Sequence, residues 1–328
     1  MKTTKWAVVG PGFIAGGLLR ECLRLPAPNE PQWFPAARKT AEPMRKKYGF
    51  ASSYTDFEKM LRESKPDVVY IATPNDTHMD YVSAALNAGV AVLCEKPMAD
   101  NAAQTEEMIR LAEKNHTFLM EAMWTRCFPA VRQARQWLQE GKIGQVLTVH
   151  SFHSFLADPK DWQLWKASLA HTGGAVRDVG VYALGMAFLA FPQGPEKIMS
   201  CCRTNGEVDI HADMLLQYGD GKAAFLSAGF DMEGNATTTI FGEKGRITLG
   251  PNLCCPSQLQ FIPNQGEPES VELPYPATGM QFEVLRVQEC LAQGLLECPD
   301  FTWEESLKIC GVIDQLRREW GIRYASDR

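Results

Sequence analysis

The hydrophobic pattern changes character once along the chain. Over about the first 120 residues, short apolar runs alternate with stretches whose apolar positions recur at helical spacing. Trp6–Gly10 (WAVVG), Asp67–Pro74 (DVVYIATP), Val90–Leu93 and Thr117–Met123 (TFLMEAM) read as buried strands. Phe13–Leu25, Thr77–Gly89 and Asn101–Asn115 read as the helices between them, with Gly89 as a C-terminal stop. Continuous apolar strands alternating with helices predict a parallel sheet covered on both faces. A second strand is expected near "PQWFPAARK", but Pro31 and Pro35 interrupt it, so the pattern alone does not supply one.

From about Val146 the grammar is that of an antiparallel meander. Val146–Phe152, Met214–Tyr218, Ala223–Phe230 and Thr237–Gly242 are its predicted strands, and "GDGK" (Gly219–Lys222) its tight hairpin. Ala175–Leu189, Gln281–Ala292 and Trp303–Trp320 carry helical patterns. The expected organisation is an α/β nucleotide-type domain over residues 1–124 and an α+β domain over residues 125–328, joined near Trp124–Pro129.

Composition narrows the function classes. A length of 328 residues suits two domains, and 45% hydrophobic with 22% charged residues is ordinary for a globular protein. A net charge of −6 without a Lys/Arg cluster argues against nucleic acid as a partner. No apolar run reaches the ~20 residues of a membrane span, and the four-residue run Trp6–Val9 is too short for a signal peptide. The ten cysteines lack metal-ligand or C-x-x-C spacing, and their scatter is that of reduced thiols in a cytoplasm. His150 and His153 stand three apart in a strand, on opposite faces, so no metal is expected there or elsewhere.

The candidate chemistry lies where strands end. "GPGFIA" (Gly10–Ala15) is a G-x-G-x-x-A pattern between a strand and a helix, the setting in which Gly12, Phe13 and Ile14 would meet a dinucleotide pyrophosphate. Where an acidic residue would bind the adenosine ribose the chain has Arg38, the device that accepts a 2′-phosphate, so NADP is expected with NAD as the other possibility. "TPNDTH" places Thr73, Pro74 and Asn75 at a strand's carboxyl end, with Asp76 or Thr77 able to cap the next helix. His78 is open to two readings, a site role or structural hydrogen bonding. In "CEKP", Glu95 and Lys96 close another strand, and Pro97 forces Lys96 into extended backbone. A lysine fixed there can stabilise alkoxide charge or lower a neighbouring acid's pKa; the plain alternative is a surface Glu–Lys pair. In "GGAVRDVGVY", Asp178 and Tyr182 stand four apart on a helix with Gly180 beside them. Trp124, Phe128, Phe152, Trp162 and Trp165 could form a substrate platform or plain core.

Together "GPGFIA", "ATPNDTH", "CEKPM", "EAMWTRCFPA" and "GGAVRDVGVY" occur in the order seen in the glucose–fructose oxidoreductase / inositol dehydrogenase / MocA family, and the chain resembles it over essentially its whole length. The E-K-P and M-W-T-R stretches look most like the branch of dimeric dihydrodiol dehydrogenases and NADP-dependent D-xylose dehydrogenases. The resemblance implies a doubly wound Rossmann domain followed by an α+β domain with a large open, mainly antiparallel sheet that serves as a dimer interface. It implies that Lys96 contacts the reacting hydroxyl and nicotinamide ribose, that Tyr182 is the general acid/base, and that Asp178 binds substrate or orients its neighbours. Trp124 and Arg126 would adjoin the cofactor; Trp124, Phe128, Phe152 and Trp162 would adjoin a small carbohydrate or cyclic diol. "SLAHTGGAV" (Ser168–Val176) departs from the family's usual approach to the last motif, which bears on substrate more than chemistry. The reading is an NADP-dependent oxidoreductase of a sugar or cyclic polyol, binding substrate in the cleft between the domains. Two alternatives keep the fold: a redox-neutral enzyme holding NAD tightly, and a non-catalytic cofactor-sensing module.

Overall fold

The computed structural model describes residues 4–10, 12–22, 32–36, 46–47, 52–158, 167–234, 236–276 and 278–327. The chain forms two compact units, Met1–Met123 with Ala277–Leu307, and Trp124–Pro276 with Lys308–Arg328. The segment 277–307 belongs to the first unit although it follows most of the second in sequence.

In the first unit β1 (Lys5–Val9) leads to α1 (Phe13–Cys22), and β2 is Gln32–Ala36. Then follow α2 (Phe57–Ser64), β3 (Val68–Ile71), α3 (His78–Asn87), β4 (Ala91–Glu95), α4 (Ala102–Lys114) and β5 (Leu119–Ala122). The five strands are parallel in the order β2-β1-β3-β4-β5. β3 and β5 are buried throughout and β4 up to its last residue, as a sheet covered on both faces requires. The proline-interrupted second strand exists, with Pro35 paired opposite Val8. β2 is an edge strand with one hydrogen-bonded neighbour, so a missing N–H is tolerated there. The switch in strand order falls between β1 and β3, and doubly wound sheets bind their ligands at that point, beyond the strands' carboxyl ends.

The second unit opens with α5 (Pro129–Gln139) and β6 (Val146–Ser154), and the inserted helix α6 is Val181–Ala190. β7 (Lys197–Thr204), β8 (Asp209–Gln217), β9 (Ala223–Gly229), β10 (Thr237–Gly242), β11 (Gly245–Gly250), β12 (Gln258–Pro263) and β13 (Glu269–Glu272) follow. They form one eight-stranded sheet in the order β13-β12-β11-β10-β6-β9-β8-β7. Every neighbouring pair is antiparallel except β6–β9. "GDGK" makes the β8–β9 turn, with Asp220 at φ 59° and Tyr218 N–H bonded to Lys222 O at 2.9 Å. Val149, Ala224, Leu226, Met214 and Ile240 form the buried face, while Phe225, Met199 and Phe152 stand exposed on the other. α7 (Gln281–Ala292) returns to the first unit, and α8 (Trp303–Glu319) runs from the end of the first unit's second segment into the second unit.

Candidate active site

The first unit gathers candidate residues at three strand ends. β1 stops at Gly10, whose φ is +81°, and the Gly10 carbonyl accepts the Gly12 N–H at 2.7 Å. A Cβ on Gly10 would lie 2.4 Å from the Ala72 carbonyl oxygen, because the ends of β1 and β3 pass that closely. The fold alone therefore requires this glycine. Ala15 is fully buried, which lets α1 lie close to the sheet. Gly12 is different. It is exposed, and among the described residues a Cβ there would meet no atom within 4 Å. No packing demand explains Gly12, whereas a pyrophosphate brought against its backbone and the N-terminus of α1 does. Those residues fit a dinucleotide. Ile14, in the first turn of α1, is 37% exposed.

Beyond β3, Thr73 is half-buried, Pro74 exposed and Asn75 buried. The Thr77 hydroxyl lies 2.8 Å from Thr73 Oγ1 and 2.7 Å from the Pro74 carbonyl, so it braces this turn and makes no side-chain cap to α3. His78 is completely buried. Its Nε2 lies 3.0 Å from the Thr73 carbonyl and its Nδ1 3.3 Å from the carbonyls of both Pro97 and Met98. Burial lowers its pKa, against the pull of those carbonyls, and keeps the imidazole neutral. A neutral ring donates from one nitrogen only, so His78 hydrogen-bonds a carbonyl of one of these two turns and packs against the other, and burial with that backbone bond accounts for its identity.

The second of those turns carries Lys96. Glu95 Oε1 accepts the Tyr70 hydroxyl at 2.5 Å, and its Oε2 accepts the Lys96 N–H at 3.3 Å. The Lys96–Pro97 peptide is cis, and the Met98 N–H donates to Glu121 Oε1 at 3.1 Å. The backbone is therefore held on both sides of Lys96, while its half-buried side chain leaves the sheet at a carboxyl end. Arg38 lies outside the described residues, as does Trp162.

The second unit carries a cluster of its own. Val176–Gly180 forms a single π-helical turn that runs directly into α6, and such wide turns are frequent at functional sites. Asp178 lies on this turn and Tyr182 in the first turn of α6; each is 8% exposed. A Cβ on Gly180 would come 3.1 Å from Val176 Cγ2, so this glycine answers to packing. The Tyr182 oxygen accepts the indole N–H of Trp124 at 3.1 Å. Trp124 stacks edge-on against Phe128 at 5.4 Å, and Phe128 against Tyr275 at 4.9 Å. Arg126 is buried and donates to the Gly185 carbonyl at 2.8 Å, tying the Trp124 turn to α6.

Phe152 does not join this cluster. It projects from the outward face of β6, alongside His150 and opposite Ser227. The next residue, His153, faces inward and meets the Tyr182 ring at 5.8 Å, with Nε2 3.3 Å from Cys254 Sγ. Strand parity could have found His153, because it separates His150 with Phe152 from His153. Cys254 had no such signal, since it is brought in from the loop after β11. Among the described residues, no group of three or more His, Cys, Asp or Glu side chains could hold a metal.

Comparison with known proteins follows the same division. Residues 4–123 match the family description "Oxidoreductase family, NAD-binding Rossmann fold", and residues 131–248 match "GFO/IDH/MocA C-terminal domain". Trans-1,2-dihydrobenzene-1,2-diol dehydrogenase of Sus scrofa is 31% identical over 343 residues, covering 99% of both chains. The chain belongs to the GFO/IDH/MocA oxidoreductase family. The Homo sapiens dihydrodiol dehydrogenase is 30% identical over 338 residues, again with 99% of each chain covered. Among solved structures, the aldose-aldose oxidoreductase of Caulobacter crescentus, complexed with glycerol, superposes with a TM-score of 0.83 at 24% identity, covering 96% of this chain and 97% of that one. A levoglucosan dehydrogenase in complex with NADH and levoglucosan gives 0.83 at 20% identity, with 97% and 98% covered. These structures share the fold, and the family membership makes this chain an oxidoreductase with a nicotinamide-dinucleotide-binding Rossmann domain.

Proposed function

We propose that this enzyme transfers hydride between a secondary hydroxyl of a small carbohydrate or cyclic diol and NADP. The observation that carries the reading is Tyr182, a phenol 8% exposed whose oxygen already accepts an N–H from Trp124 at 3.1 Å. A donor aimed at that oxygen favours the phenolate over the phenol, which suits a group that takes up and returns a proton. Asp178, on the π-turn one helical step away, holds or orients the substrate hydroxyls. Lys96, its backbone fixed by Glu95 and the turn after it set against the His78 ring, places positive charge where alkoxide character develops. The cofactor, when bound at Gly12 and the start of α1, accepts or supplies the hydride. The diol class is supported by full-length similarity to dihydrodiol dehydrogenases. Arg38 supports NADP, since a guanidinium pairs with a 2′-phosphate that a carboxylate would repel.

The partner we propose is a second copy of the chain, seated on the outward face of the eight-stranded sheet. Met199 (49% exposed), Phe225 (43%) and Phe152 (37%) present apolar side chains there that a like face would cover. Light scattering should give at least a dimer, and charged replacements at Phe225 and Met199 should dissociate it; a wild-type monomer contradicts this.

The test of the activity is a side-by-side fluorescence titration with NADPH and NADH, followed by NADP reduction assayed with trans-dihydrodiols and aldoses. Tighter NADPH binding and turnover on either substrate class are expected. Preference for NADH, or cofactor that survives purification with no net turnover, would overturn the proposal.

A further inference from the structure

Glu283 lies in α7, within the first unit, and is 1% exposed. Neither of its carboxyl oxygens has a hydrogen-bond partner. The charge acting on it is that of Glu95, the residue that clamps the end of β4. Among the described residues, the arginines on its own helix and on the packed helix α1 are turned elsewhere. Arg20, on the packed helix α1, is exposed and turns its Nε back to the Gly16 carbonyl at 3.1 Å. Arg286, on α7 itself, is paired with Asp300 at 2.6 Å and Glu289 at 2.9 Å. An ionised Glu283 would therefore be a bare buried charge beside a second carboxylate, and such charges are relieved by taking up a proton. Glu95 is the member of the pair suited to keep the charge, because the Tyr70 hydroxyl and the Lys96 N–H both donate to it.

We propose that Glu283 is a positioning residue that works as the neutral acid, leaving the end of β4 with a single negative charge so that Glu95 can hold the backbone from which Lys96 emerges. Both burial and Glu95 push the Glu283 pKa well above its ordinary value. When Glu283 ionises at alkaline pH, its charge competes with that of Glu95, the Tyr70 and Lys96 N–H contacts loosen, and the strand end beside the cofactor-binding turn loses its order. The inference rests on the dinucleotide reading of that unit for its consequence, and on burial and charge alone for the protonation state.

The test has two readouts. The first is the infrared C=O band of a protonated carboxyl, recorded at neutral pH for the wild type and for Glu283→Gln. We expect a band in the wild type that titrates away only at alkaline pH and is missing from Glu283→Gln. A wild type without that band overturns the proposal, whether or not the protein turns over any substrate. The second is NADPH affinity against pH. Between neutral and alkaline pH the wild type should lose about tenfold, one pKa unit's worth of free energy, while Glu283→Gln stays within about twofold. Equal losses in the two proteins overturn the positioning role. If Glu283→Gln does not fold, the wild-type band and wild-type affinity must titrate together, and a mismatch between them overturns it equally. Failure to bind NADPH at any pH would refute the proposed function while leaving the infrared result to decide the state of Glu283.

Discussion

Gly10 and Gly12 stand two residues apart and separate folding from binding. For Gly10→Ala the new methyl would sit 2.4 Å from Ala72 O, 2.5 Å from Ala72 C and 2.6 Å from Thr73 N, all of them backbone atoms that cannot rotate away. Its φ of +81° adds a left-handed penalty of about 1–2 kcal/mol for any residue with a Cβ. With the steric overlap, the total is about 3 kcal/mol or more, which lowers the melting temperature by roughly 6–12 °C for a domain of this size. For Gly12→Ala the methyl meets no atom of the described residues within 4 Å, so stability should stay within about 0.5 kcal/mol of wild type. The same methyl would stand between the backbone and an approaching pyrophosphate. NADPH affinity should then fall by about tenfold or more, equivalent to about 1.4 kcal/mol. Thermal melts with and without NADPH, together with fluorescence titration, measure both quantities. A Gly12→Ala protein that melts normally and binds NADPH like the wild type would refute the placement of the phosphates at this turn.

Other perturbations test the remaining parts. Trp124→Phe removes the N–H donated to Tyr182 and should lower kcat by about tenfold while moving the proton-acceptor limb of its pH profile about one unit upward, because the phenolate loses a donor; an unmoved limb would show that this bond does not tune Tyr182. His78→Ala deletes a buried ring packed between the carbonyls of Thr73, Pro97 and Met98 and hydrogen-bonded on one side, and should cost about 2 kcal/mol or more in urea unfolding as well as weakening NADPH binding. Wild-type values on both counts would remove its bracing role. Asp209 is fully buried, accepts the Val176 N–H at 2.7 Å, and burial lifts its pKa from 3.8 to about 6. Its contribution to stability is therefore complete below pH 3.8 and is lost as pH rises through about 6. Relative to Asp209→Asn, the wild type should lose up to about 3 kcal/mol between acid and neutral pH, and a pH-independent difference would contradict the shift.

Much of this architecture is written in local patterns. The buried strands β1, β3, β4 and β5 are short apolar runs, the first three closed by Gly10, Pro74 and Glu95–Lys96, and such signals survive without tertiary context. Gly10 and Gly12 are likewise readable as a motif, although the motif does not say that the first serves the fold and that the second has no packing partner among the described residues. What stayed hidden depends on neighbours. β7 alternates without a fully buried position, and β13 carries Glu269 and Glu272 on the outer edge of the sheet; edge strands of this kind lack the apolar signature that identifies a core strand. β2 was masked by Pro35, which only an edge position tolerates. Of the proposed site residues, Lys96 and Tyr182 are singled out by strand-end and helix position. The support of Lys96 by His78, Tyr70 and Glu95 is not, because it joins β3 to β4 through side chains. Phe152 was expected at the site and lies on the opposite face, whereas His153 meets Tyr182. A single step along a strand decides between the two, and only the register of β6 against β9 and β10 fixes that step.

In the proposed reaction Tyr182 moves the proton of a nicotinamide-dependent oxidation or reduction. Its most direct test is Tyr182→Phe, which keeps the ring against His153 and removes only the hydroxyl. Turnover should fall by about a hundredfold or more while the NADPH dissociation constant and the melting temperature stay at their wild-type values. Turnover equal to that of the wild type would contradict it.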